Sequence, residues 1–237
     1  MNSQLRLRTR TATAVLRARF TAMVGTVAML AAVLTGTTVT AASAAEAAAP
    51  QAAAGGWSCG GDPVPPGYVI SQLNKTGCNG RGSWYQEPAR DGIWTCSGSP
   101  IVPGYVISAH NKQGCSGIGS WQHKLAKDGI WTCSGSPIVP GYVITAHDKY
   151  GCGGIGSWYH KVAKDGMWTC AGSPIVPGYV VTAWDKYGCG GIGSWYHKVA
   201  RAGLYVCPTS PIPPGFRATT GSMNQCSGLG GRLLANA

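Results

Sequence analysis

The chain has 237 residues, with ten cysteines, nine tryptophans and a formal net charge of +11. Five arginines sit in the first 19 residues and none of the eight acids does, so the rest of the chain carries only +6. The lysines beyond the leader are single and recur in register. That pattern argues against a phosphate-tracking nucleic-acid protein and leaves a mild attraction for anionic envelope polymers or acidic proteins.

Residues 1–44 read as a secretory signal peptide. Arg6, Arg8, Arg10, Arg17 and Arg19 form a basic region, FTAMVGTVAMLAAVLTG is the apolar run, and Ala42-Ser43-Ala44 offers a cleavage site. The run is shorter than the ~20 residues that span a bilayer and ends in small residues, not a basic cluster. A secreted mature chain starting near Ala45 is expected, with no stable membrane insertion. Residues 45–56, Ala/Pro/Gly-rich and without hydrophobic period, read as a tether.

From Trp57 onward the chain repeats every 37 residues, in copies 57–93, 94–130, 131–167, 168–204 and 205–237. Each copy places one cysteine two residues after its opening ring (Cys59, Cys96, Cys133, Cys170, Cys207). A second follows nineteen residues later (Cys78, Cys115, Cys152, Cys189, Cys226). No cysteine is left over, so five disulfides are expected, not metal sites or nucleophiles. Bridges within each copy are favoured over bridges staggered between copies, because they make each unit self-contained.

Within a copy, SWYHKV and MWTC joined by AKDG read as a hairpin that crosses the copy boundary. SPIVPG breaks the ladder. YVITAH follows as a third short strand with Tyr142, Ile144 and Ala146 on one face, and KYGCGGIGS as a tight loop held by its cysteine. No window has a helical period. The expected fold is therefore all-β: disulfide-rich tandem repeats of about 37 residues with three short strands each, in a linear array. A closed five-fold ring is the alternative, in which the unpaired ends near Trp57 and GRLLANA meet.

The candidate chemistry is binding. His110, His123, His147, His160 and His197 show no ligand spacing, so neither metal nor cofactor is expected; a histidine on a strand face reads as a polar surface residue. GIGSW is not a nucleophile elbow, and Asp128 and Asp165 are explained by turn geometry, so no catalytic residues are assigned. Trp94, Trp131 and Trp168 read as core plugs beside the disulfides. Trp84, Trp121, Trp158 and Trp195 stand either in the core or as exposed platforms.

The end of the third strand reads LNKTG, HNKQG, HDKYG and WDKYG in successive copies. Rings next to amides or carboxylates suit sugars, whose apolar face packs on a ring while Asp, Asn or His binds hydroxyls. The candidate ligand residues are His110, Asn111, His147, Asp148, Tyr150, Trp184, Asp185 and Tyr187, with Trp158 and Trp195. The function expected is multivalent, non-catalytic binding of an extracellular or cell-envelope glycan. The alternative partner is an extracellular protein, with the chain acting as a protease inhibitor or as a toxin or adaptor component.

Overall fold

The computed structural model describes residues 54–237; the signal peptide and most of the tether expected from the sequence lie outside them. Among the described residues fifteen strands form five sheets. The first two copies supply β1 Gly56–Cys59, β2 Tyr68–Asn74, β3 Ser83–Pro88, β4 Ile93–Cys96, β5 Tyr105–Asn111 and β6 Ser120–Leu125. The third and fourth supply β7 Ile130–Cys133, β8 Tyr142–Asp148, β9 Ser157–Val162, β10 Met167–Cys170, β11 Tyr179–Asp185 and β12 Ser194–Val199. The last copy adds β13 Tyr205–Val206, β14 Phe216–Ser222 and β15 Gly231–Asn236. Each sheet is antiparallel, with the copy's last strand in the middle, as in β7-β9-β8. The arrangement is linear and does not close into a ring.

Two sequence expectations about pairing are corrected. SWYHKV does not form a hairpin with the MWTC that follows it; β9 pairs with β7 and β8 of its own copy. Asp-Gly instead leads into the first strand. Gly129 N–H donates to the His160 carbonyl at 3.0 Å, and the Asp128 carboxylate accepts the Val162 N–H at 2.9 Å, so the dipeptide extends the ladder. Nor are the end segments orphans, since β1 pairs with β3, and β15 with both β13 and β14.

The third correction concerns strand faces. A bulge at Thr145 makes Ile144 face His160 while Ala146 faces Tyr159, the adjacent residue of β9. Because alternate residues of a strand point oppositely, Ala146 moves to the other face from Ile144.

The disulfides join Cys59–Cys78, Cys96–Cys115, Cys133–Cys152, Cys170–Cys189 and Cys207–Cys226, with Cα separations of 5.2–5.5 Å. No cysteine is free among the described residues. Each bridge closes a nineteen-residue separation, worth about 3 kcal/mol in the chain-entropy picture. The second cysteine of every copy has a left-handed backbone, φ +49 to +54. Such a residue costs on the order of 1 kcal/mol, and the cross-link holds it there. Five disulfides indicate an oxidising, extracellular setting. No helix among the described residues is long and apolar enough to cross a membrane.

Copies join edge to edge. The free edge of the copy's middle-of-sequence strand would expose unpaired N–H groups. A serine of the following copy accepts them: Ile70, Ile107, Ile144 and Val181 donate to the Oγ of Ser99, Ser136, Ser173 and Ser210 at 2.8–2.9 Å. At the last junction Cys207 N–H also donates to the Val181 carbonyl at 2.7 Å. Val181 packs there against Cys207 and Cys226, so one copy covers the disulfide of the next. Cys59, with no copy before it, is only half-buried, whereas Cys96, Cys133, Cys170 and Cys207 are sealed.

Candidate functional site

The end of the third strand and the following copy's disulfide loop together form shallow clefts. One, of about 430 Å³, is lined by His147, Asp148, Lys149 and Tyr150 with Gly190 and Ile192 of the next copy. Its counterpart one copy on, also about 430 Å³, is lined by Trp184, Asp185, Lys186 and Tyr187 with Ser227 and Leu229. Both require two stacked copies.

Local chemistry fixes these walls. Asp148 Oδ1 accepts the Tyr150 N–H and Asp185 Oδ1 the Tyr187 N–H, each at 2.9 Å, in a turn that aspartate makes readily. This leaves the second carboxylate oxygen, beside Gly151 or Gly188, as an acceptor. Tyr150 and Tyr187 are 75% exposed, and the Lys149 and Lys186 ammonium groups stand 4.7 and 4.6 Å from their ring centres. The result is an open ring, a cation, a carboxylate and an aliphatic wall within one cleft.

Trp158 and Trp195 stand behind the clefts and do not line them. They are cross-strand partners of His147 and Trp184, with ring centres 4.2 and 4.3 Å apart. Trp184 also presses on its own disulfide loop, where a Cβ added at Gly193 would lie 2.1 Å from the indole. Its ring packs against the cluster of Val181, Cys207 and Cys226, so it is partly structural. In copy two His110 stacks on Trp121 at 4.1 Å and the Asn111 side chain accepts the Gln113 N–H at 3.0 Å; a glutamine replaces the tyrosine there.

Two groups of residues depart from the sequence reading. Trp94, Trp131 and Trp168 are not core plugs: they are 41%, 44% and 45% exposed. Ile130 and Thr132 take the buried face of β7, and strand alternation turns Trp131 outward.

His123, His160 and His197 are not surface residues either, being 1% exposed. The Nε2 of each lies 3.1 Å from the hydroxyl of Thr95, Thr132 or Thr169. Each hydroxyl also lies 3.2–3.5 Å from a tryptophan carbonyl, so the threonine bridges the imidazole to the ladder. Nδ1 of His123 and His197 has no partner. Burial holds all three imidazoles below the usual histidine range, His197 down to about 4. They are neutral structural groups. Among the described residues no three His, Cys, Asp or Glu side chains cluster as a metal site.

No family model, curated protein or solved structure matches the chain. Its class is therefore defined by the architecture alone: an all-β array of disulfide-closed, three-stranded repeats.

Proposed function

We propose that the chain is a secreted, non-catalytic protein that binds an extracellular or cell-envelope glycan through its inter-copy clefts. The observation that supports this reading most is recurrence. An aspartate, a lysine and a tyrosine, next to a ring that is His147 in one copy and Trp184 in the next, line clefts of equal volume at two successive junctions. Exposed tyrosines pack on sugar C–H faces, and the spare aspartate oxygens accept from hydroxyls. Each cleft is shallow and weak by itself, but sites in tandem on one rigid array gain avidity on a polymer.

The variant that tests this is Tyr150→Ala with Tyr187→Ala, because both rings are open and neither supports the core. A glycan array and immobilised envelope polysaccharide, read with the full chain, identify the ligand class. The double variant should bind roughly tenfold or more weakly with its melting temperature unchanged, since lost tandem contacts multiply. Unchanged glycan binding, or selective capture of an extracellular protease with no glycan bound, overturns the proposal.

A further inference from the structure

Each of two consecutive sheets carries a second aromatic group on the face opposite the cleft rings. Trp131 pairs with Tyr159, whereas His147 pairs with Trp158, and adjacent residues of β9 point to opposite faces. The Trp131 and Tyr159 rings lie 5.0 Å apart at a tilt of 41°; those of Trp168 and Tyr196 lie 5.1 Å apart at 45°. Two residues along the strand, Lys161 Nζ stands 5.7 Å from the Tyr159 ring centre, and Lys198 Nζ 5.6 Å from that of Tyr196. Nearly half of each tryptophan faces solvent.

The surrounding charges are already matched. Asp128 accepts the Val162 N–H and pairs with Lys164 at 3.4 Å, although it also feels the Lys161 charge. Asp165 accepts the Val199 N–H and lies 3.9 Å from Arg201. Among the described residues Lys161 and Lys198 enter no salt bridge. Each face thus offers an exposed indole, a half-buried tyrosine ring beside it and a lysine that enters no salt bridge.

We infer that these two Trp-Tyr-Lys faces bind an acidic polysaccharide, with the apolar face of a uronate ring on the tryptophan and its carboxylate on the lysine. A neutral sugar would leave the cation unmatched, and a glycerol phosphate chain has no ring face to cover the indole. The first copy shows the contrast. Trp57 and Tyr85 form the same ring pair at 5.5 Å, but Glu87 occupies the lysine position and pairs with Arg90, which disfavours an acidic ligand. The inference shares no residue with the clefts and stands independently of them.

The test is calorimetric titration of the full chain with polygalacturonate. Binding should weaken as sodium chloride rises from roughly 50 to 300 mM, because the contacts include charge pairs at the surface that salt screens. Lys161→Gln with Lys198→Gln should weaken it by roughly tenfold or more, as should Trp131→Ala with Trp168→Ala, since both faces act on one polymer. Lys161→Arg with Lys198→Arg should retain it, and Lys75→Gln with Lys127→Gln, which removes two exposed charges away from these faces, should change it by less than about twofold. Four results overturn the inference: no binding of polygalacturonate, equal binding of polyglycerol phosphate, indifference to the Lys161 and Lys198 glutamine variant, or an equal loss in the Lys75 and Lys127 variant.

Discussion

The position held by His197 and Thr169 is filled five times in this chain, and its two members change together. The pairs are Gln86 with Ser58, His123 with Thr95, His160 with Thr132, His197 with Thr169, and Leu234 with Val206. In copy one the Gln86 amide donates to Ser58 Oγ at 2.7 Å; in copy five an apolar pair packs with Val180. His197→Leu with Thr169→Val would therefore install in copy four what copy five already contains. Removing both members of the pair leaves no buried side chain without its partner, and the Trp195 carbonyl loses only a long 3.5 Å contact with the Thr169 hydroxyl, so the change at pH 7 should stay within about 1 kcal/mol.

Acid separates the two proteins. His197 is neutral in the fold with its pKa lowered to about 4, whereas in the unfolded chain it titrates near 6.5. The unfolded state thus takes up the proton first. The histidine's contribution is fully present above pH 6.5, is lost as pH falls, and levels off below the folded value. That loss is about 2 kcal/mol at pH 5 and roughly 3 kcal/mol at the plateau. Denaturant unfolding followed by circular dichroism from pH 7.5 to 4 should show the double variant gaining on the native chain by this amount. Superposable pH profiles, or a variant crippled at pH 7, would refute the argument that burial holds this imidazole neutral.

Other expectations are checked more simply. Thiol titration under denaturing conditions should find no free cysteine, and stepwise reduction with peptide mapping should open Cys59–Cys78 first, because no preceding copy covers it. Trp131→Ala should lower stability by under ~1 kcal/mol, as fits an exposed ring, whereas a buried plug would cost ~3–5 kcal/mol; chemical denaturation distinguishes these. Deleting residues 131–167 should leave a folded four-copy chain by circular dichroism, since Ile107 would then meet Ser173 in place of Ser136. Loss of cooperative unfolding there would contradict a nearest-neighbour array.

The period and the all-β character were legible because the cysteines and opening rings recur at fixed offsets; the same lattice narrowed the disulfides to two schemes, and only the fold decides for the bridges within each copy. The strand order was not. Asp128-Gly129 has the residues of a hairpin turn, but its carboxylate serves Val162, 34 positions away, and nothing local announces that. His160 is buried by a threonine 28 residues distant. The joint replacement of His and Thr by Gln and Ser in copy one and Leu and Val in copy five was the available signal for that contact. For the tryptophans, alternation in Ile130-Trp131-Thr132 carried the answer; proximity to Cys133 suggested the opposite. The clefts were half legible: one wall is the HDKYG string, while the other belongs to a copy 37 residues on and appears only when copies stack.

The serine joint has a consequence for inheritance. Ser99, Ser136, Ser173 and Ser210 occupy the same offset, so each copy from the second onward has the means to follow any other; copy one has Asp62 there. Copies three and four differ at only six positions, which makes them natural partners for unequal recombination. An exchange between them would add or remove one whole copy while leaving both flanking joints intact. The copy at 205–237 differs along this edge: β14 carries exposed Arg217, Thr219 and Thr220, with Arg217 at the offset where Val143 and Val180 are buried, and these polar residues discourage a second chain from pairing there. Array length is thus a quantity that selection can change in whole steps.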